Sequence, residues 1–512
     1  MVDTTIGASF DEQVQLRRRD NVRTYLLLIV FALFLVALVA PYRSVHLPLV
    51  LMVALGLIFV LVCAKFSIEE YDRLMLMFCV FAPFQKVLPG GFSGIIQGFN
   101  ITNIFAFFLI IGWAVQTLRH ERRFYEPRAI DVPVLIFCLF GVVSLFRGEM
   151  FNAEKNAVDS IFLMKEWLLP MIVYIIVVNN VKDRDTLVRL VVAICITTAL
   201  IGFLGLKKYY LDEGGLYNAY GSSYDAARIG VICKQPNEFG AFFCYYTFLM
   251  LAFFFVNWRK ARYWLLLLPI AACARSMLLT FSRGSQVAFL AGIGVTILFW
   301  NRKVFLFIFL PIVVFFAYNP DYLPGFMVGR MQNTVQSDGS FDGSTQARLE
   351  VWKCAIRMIR ANPLLGVGYD NFQYYTVEYG LPPNVHGIDA HNTYFLYAAE
   401  MGIPAAACFI IVLLICWRKG IFIWLRTQDR FFRTVSIGFL GGLAGLMAAN
   451  CFGSRLNSNE IVFQFWILIA IMTKMAQVTR TDYGKLTEVA LEHHRRSLRS
   501  KIVASPVRRG AR

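Results

Sequence analysis

Charge is scarce in this chain. Asp, Glu, Lys and Arg make up 16% of its 512 residues and hydrophobic residues 58%, against about 25% and 45–50% in soluble domains. That balance excludes a string of soluble domains, which length alone would allow. The eleven cysteines form no C-x-x-C pair and no zinc-ligand spacing, so neither a zinc ribbon nor a thioredoxin-like redox motif is present. Most, such as Cys63, Cys79, Cys138, Cys195 and Cys416, sit in apolar runs as small packing residues. Cys233, Cys354 and Cys451 fall in expected loops, where a bridge is neither required nor forbidden. No H-E-x-x-H, Walker loop or G-x-S-x-G elbow lies on a suitable element, which leaves ATP-driven transport and serine hydrolysis without support. No internal repeat of the kind common in transporters is visible. Nor is a cleavable signal peptide: the first apolar run is followed at once by Pro41 and another span.

What the chain has is apolar runs. About twenty apolar residues cross the hydrocarbon core, and about fourteen candidates are present. They fall near 24–40, 47–64, 74–88, 96–118, 130–146, 161–179, 186–206, 238–257, 263–281, 284–300, 303–318, 393–417, 434–450 and 460–477. The third is short and turns polar at Gln85 and Lys86. The fold class is therefore an all-α polytopic membrane protein of about 12–14 transmembrane helices. Its 50 Lys+Arg exceed 33 Asp+Glu by 17, but the excess falls between apolar runs and not on a basic face, so nucleic acid is not the expected partner. With the N-terminus cytoplasmic, the inside loops collect Arg17, Arg18, Arg19 and Arg23, then Lys65 and Arg73, then Arg119, Arg122, Arg123 and Arg128. Lys182, Arg184 and Arg189 follow, then Arg259, Lys260 and Arg262, Arg302 and Lys303, Arg418 through Arg433, and the basic tail. The outside loops hold only scattered cations, Arg43, Arg147, Lys155, Arg283 and Arg455. This is the positive-inside pattern, and it places both termini in the cytoplasm of a bacterial inner membrane.

The expected organisation is a cytoplasmic segment 1–23, a membrane domain 24–478 and a basic cytoplasmic tail 479–512. Two outside loops are long, 207–237 and 319–392. Within the second, residues 346–360 place Leu349, Trp352, Ile356 and Ile359 on one helical stripe, with Arg348, Lys353, Arg357 and Arg360 elsewhere. Such a helix is expected to lie on the membrane surface among anionic headgroups. It ends at Asn362-Pro363, before the Gly366-x-Gly368 turn. Asp183-Arg184-Asp185 has the D-x-D form of metal-dependent sugar transferases, but it falls in a short cytoplasmic loop and reads as a solvated turn.

The unusual polar groups collect on the outer side. Arg228 precedes a span, Arg283 lies at a break between two apolar runs, and Arg275 sits two turns deeper, with Glu400 as one partner for it. His391 and Asn392 open a span that contains Glu400. A single interfacial arginine is satisfied by snorkelling, an intramembrane one is more demanding, and a lone histidine serves equally as a cap. His386 reads as a loop residue, and Lys165-Glu166 as a pair for neighbouring groups. Several arginines and one histidine on one face, however, suit a phosphate or pyrophosphate, which the planar guanidinium binds bidentately.

Five ordered segments carry a resemblance. They are Arg228 with Pro236-Asn237; Ser282-Arg283-Gly284; Arg348-Leu-Glu-Val-Trp352; Asn362-Pro-Leu-Leu-Gly-Val-Gly368; and Ala390-His-Asn-Thr-Tyr394 with Glu400-Met-Gly-Ile403. Together they resemble the O-antigen ligase and polysaccharide polymerase superfamily over roughly residues 220–420. The resemblance implies a GT-C-like helical bundle with a large periplasmic loop. It implies transfer of a glycan from an undecaprenyl-pyrophosphate carrier to an acceptor hydroxyl, on a glycan or on lipid A-core, with no metal and no cofactor. It makes His391 catalytic and assigns the pyrophosphate to Arg228 and Arg283; Arg348 and Glu400 match recurring positions, and Arg275 and Asn392 are supporting candidates. Membrane lipids and other polysaccharide-assembly proteins are the remaining expected partners. One departure is visible. Where the ligase pattern carries Gly-x-x-Gly/Thr/Tyr, this chain has Gly402 but ends on Ala405, which favours polymerase over ligase. A lipid-linked saccharide flippase is the alternative of another class.

Overall fold

The computed structural model describes residues 22–26, 31, 49–85, 101–119, 124–151, 157–212, 228–233, 235–319, 322, 343–382 and 389–503. Nearly all of the 1–23 segment and the 24–40 span, Lys86, residues 213–227 and 323–342 of the long loops, His386 and residues 504–512 lie outside them.

Among the described residues the protein is helical and without strands. The helices are α1 (Leu49–Ile68), α2 (Tyr71–Phe81), α3 (Ile101–Arg119), α4 (Asp131–Phe151), α5 (Ala157–Asn180), α6 (Arg184–Lys207) and α7 (Pro236–Asn257). They continue with α8 (Leu267–Leu278), α9 (Arg283–Trp300), α10 (Leu310–Tyr318), α11 (Gly343–Ala361), α12 (Thr393–Met401), α13 (Ile403–Arg426), α14 (Arg430–Asn450) and α15 (Asn459–Val503). Nine of the described helices are long and apolar enough to cross a membrane. Expected span 263–281 begins as a 3-10 turn, Ala261–Leu266, before α8, and 303–318 opens with a π-helical turn, Phe305–Phe309, before α10. Expected span 393–417 is two helices. Gly402 between α12 and α13 has φ +88°, and a Cβ there would run into the Leu364 carbonyl, so the backbone breaks and closes on the loop before α12.

The bundle is organised around α7, α14 and α15, whose span windows are 72%, 72% and 78% buried, against 22% for α3. A helix apolar on every side belongs in the interior, and Phe239, Phe242, Phe243, Tyr245, Tyr246 and Phe248 of α7 are fully buried. Gly442 and Gly445 let α14 approach the α7 backbone, since a Cβ at either would overlap the Tyr245 or Cys244 carbonyl. Small residues at such contacts allow membrane helices to pack closely.

The Asp183-Arg184-Asp185 turn is structural: the Asp183 carboxylate caps α6 by accepting from the Thr186 N–H at 2.6 Å, and Arg184 pairs with Asp429. Lys165 donates to Asn103 at 3.0 Å, and Glu166 accepts from Asn459 at 3.1 Å. All eleven cysteines are free thiols.

The loop helix α11 buries a face other than its expected apolar stripe. Its fully buried face is Val351, Cys354, Ala355 and Met358, packed on Phe372, Leu381, Ala390 and Leu396 in a small core of the loop's own. The expected stripe, Leu349, Trp352, Ile356 and Ile359, is half-buried and lies about a third of a turn round the helix at 3.6 residues per turn. The face packed in the loop's core carries the small Cys354 and Ala355, which a search for large apolar residues passes over.

Candidate functional site

Two helix N-termini meet beside the arginine pair. Pro236 opens α7 with a backbone ready for a helix start. Ser282 caps α9 by accepting from the Ser285 N–H at 3.4 Å, so Arg283 is the first residue of that helix. The ends are tied together, with the Ser285 hydroxyl within hydrogen-bond distance of the Asn237 carbonyl, at 3.4 Å, and of Ser282 Oγ, at 3.0 Å. Arg228 bridges both. Its Nε donates to the Thr280 carbonyl at 3.0 Å and its Nη2 to Asn237 Oδ1 at 2.5 Å. The Ile229 N–H donates to the Leu279 carbonyl at 3.4 Å, which pins the segment carrying Arg228 to the turn before α9. Helix N-termini present N–H groups and partial positive charge, a setting that suits an anion.

The histidine lies on a neighbouring turn. His391 has φ +50°, a left-handed conformation uncommon outside glycine. Asn392 caps α12: its Oδ1 accepts from the N–H groups of Tyr394 at 2.9 Å and Phe395 at 3.1 Å, and its Nδ2 donates to the Cys451 carbonyl at 3.3 Å. The Thr393 hydroxyl sits within hydrogen-bond distance of Asn450 Oδ1, at 2.7 Å, and of the Gly453 carbonyl, at 3.2 Å.

Both halves of the site rest on the turn between α14 and α15. A Cβ at Gly284, next to Arg283, would meet Phe452 at 2.7 Å, while Asn392 and Thr393 hold Cys451 and Gly453 from the other side. On this turn Arg455, only 5% exposed, donates to the Phe452 carbonyl at 3.1 Å. Its guanidinium feels the charges of Glu238, Asp389 and Arg348. Around His391 stand Asp389, Arg348 of α11 and Arg455. Burial holds the imidazole below its ordinary value; Asp389 pulls the other way, and the two arginines add to the lowering. The balance favours the neutral ring, the form able to accept a proton.

The remaining candidates hold neighbouring elements. Glu400 is buried and braces the loop before α12, its Oε1 accepting from the Phe372 N–H at 3.1 Å and its carbonyl from the Gly368 N–H at 3.0 Å. Arg275 donates to the Tyr210 hydroxyl through Nε at 3.1 Å and Nη2 at 2.9 Å. Sequence reasoning left Arg455 among scattered cations and passed over Asp389, Ser454 and Glu238. The available signal was that Gly453-Ser454-Arg455 is a short turn on the same side as His391. Among the described residues no three of His, Cys, Asp and Glu converge as metal ligands would.

Residues 268–410 match the family model described as O-antigen ligase. The match takes in Arg275, Arg283, Arg348, His391, Asn392 and Glu400, and Arg228 lies before it. No curated protein matches the chain.

Proposed function

As residues 268–410 place this chain in the O-antigen ligase and polymerase superfamily, we propose that it is a membrane glycosyltransferase acting on an undecaprenyl-pyrophosphate-linked glycan at the periplasmic face. The observation that carries the reading is the convergence of the α7 and α9 N-termini, with Arg228 and Arg283, onto the same turn that holds His391.

The chemistry is a single displacement. The acceptor hydroxyl oxygen attacks the anomeric carbon, the bond from that carbon to the phosphate oxygen breaks, and the electron pair leaves on the carrier pyrophosphate. The hydroxyl proton passes to the His391 imidazole, acting as general base. Negative charge grows on the departing oxygen, where Arg228, Arg283 and the two helix ends are already placed to stabilise it. The configuration at the anomeric carbon inverts. The donor already carries the free energy of transfer, so no nucleotide is consumed. Burial first, with Arg348 and Arg455 adding to it, favours the neutral histidine before attack, and Asn392 and Glu400 hold its turn and the preceding loop.

The acceptor class decides among polymerase, ligase and protein O-glycosylation, and Ala405 favours polymerase. Purified protein incubated with an undecaprenyl-pyrophosphate oligosaccharide is expected to give a ladder of longer chains on a gel. Extension only on addition of lipid A-core makes it a ligase. No transfer to any acceptor, with donor moved across vesicles, makes it a flippase and overturns the reading.

A further inference from the structure

His391 as a base poses an electrostatic problem that the Arg348–Arg455 pair makes worse. On accepting a proton the ring becomes a cation within reach of two guanidinium charges, in a partly desolvated setting where like charges repel strongly. A neighbouring carboxylate relieves this, and one is present. Asp389 Oδ2 faces His391 Nδ1 at 3.8 Å, and Asp389 Oδ1 accepts a hydrogen bond from the Ser454 hydroxyl at 2.8 Å. Ser454 belongs to the turn that Asn392 and Thr393 clamp through Cys451 and Gly453. The carboxylate is thereby anchored to the same rigid turn as the ring it faces.

We propose that Asp389, oriented by Ser454, is a positioning residue: it holds the His391 imidazole as the Nδ1–H tautomer, leaves Nε2 bare toward the acceptor hydroxyl, and counters the charge that forms there. The inference rests on reading His391 as the base. The nitrogen that carries the proton is set by the partner of Nδ1. At 3.8 Å the contact is electrostatic, longer than a hydrogen bond, and contacts of this kind tighten when substrate is bound. The left-handed backbone at His391 is a local cost maintained by the surrounding contacts, as at functional turns elsewhere.

The charges facing the ring come from three elements: Asp389 in the loop before α12, Arg348 on α11 and Arg455 in the α14–α15 turn. Their signs separate a positioning role from a structural one. The base works in its neutral form, so transfer falls as pH drops through the histidine's pKa. Asp389→Asn removes a charge that raises this pKa, and the acid limb moves to lower pH. Arg348→Gln removes a charge that lowers it, and the limb moves to higher pH.

The test uses the full-length protein in nanodiscs with an undecaprenyl-pyrophosphate oligosaccharide as probe, following release of undecaprenyl pyrophosphate against pH. Asp389→Asn is expected to slow release at pH 7 about ten- to hundredfold, a fraction of the roughly 10²- to 10⁴-fold that a placed base contributes. Its acid limb moves to lower pH, and Asp389→Glu recovers most of the rate. In parallel, selective ¹⁵N-histidine NMR, assigned with His391→Gln, reads the tautomer directly and requires no turnover. A wild-type Nδ1–H form supports the proposal even if Asp389→Asn fails to fold. An Nε2–H form, or an Asp389→Asn enzyme slowed with its acid limb unmoved, overturns it. A wild type that releases no pyrophosphate contradicts the transferase reading instead, and the tautomer then decides the role of Asp389 alone.

Discussion

Replacing Asn392 with alanine removes three hydrogen bonds at once: two that cap α12, from the Tyr394 and Phe395 amides, and one from its own amide to the Cys451 carbonyl. Loss of an N-cap costs about 1 kcal/mol, and leaving a part-buried carbonyl without its donor costs about 1 kcal/mol more. The sum, about 2 kcal/mol, corresponds to a shift of up to about 30-fold in a two-state population. Against it stands the left-handed backbone of His391, φ +50°, which costs a non-glycine residue about 1–2 kcal/mol. The two quantities are comparable, so the alanine variant is expected to release the histidine turn while the bundle stays folded. Asn392→Asp keeps the capping oxygen and loses only the amide donor, and should show roughly half the free-energy effect. Hydrogen exchange of peptides covering residues 391–401 provides the assay. Exchange at the first turn of α12 should rise up to about 30-fold in the alanine variant and less in the aspartate variant, with little change in the melting temperature. Wild-type protection in Asn392→Ala, or equal loosening in both variants, would refute the reasoning.

Asn237→Ala leaves Arg228 without the amide acceptor it meets at 2.5 Å; a hydrogen bond to a charged group is worth about 1.5–3 kcal/mol, so KM for the lipid-linked donor should rise at least about tenfold in steady-state transfer assays, with a smaller effect on kcat. Gly445→Val drives a side chain into the Cys244 carbonyl of α7. Overpacking of this kind costs about 1–3 kcal/mol, and the detergent melting temperature should fall, whereas Gly343→Ala, with nothing within 4 Å, should leave it unchanged.

The bundle was legible because a buried or lipid-facing helix needs an unbroken apolar run, and such runs are visible in any window. Position along the chain also drew attention to His391, Arg228 and Arg283, since each sits where an apolar run starts or stops. Three-dimensional closure was not legible. The break at Gly402 falls inside a continuous apolar stretch, and hydropathy does not register that its backbone must approach Leu364. The buried face of α11 was not legible because Cys354 and Ala355 weigh little in a search for large apolar residues, although they make the close contact. Arg455 and Asp389 are 66 positions apart in the sequence and meet only because the α14–α15 turn folds over the start of α12, a pairing that no local pattern encodes.

The central question is whether His391 takes the proton from the acceptor. Release of undecaprenyl pyrophosphate from a lipid-linked oligosaccharide, measured in parallel for the wild type and His391→Ala in nanodiscs, tests this most directly. The account predicts steady release and glycan extension by the wild type, and a loss of at least about 10²-fold in the alanine variant, the lower bound for a placed general base, with donor binding retained. Full activity in His391→Ala would contradict it.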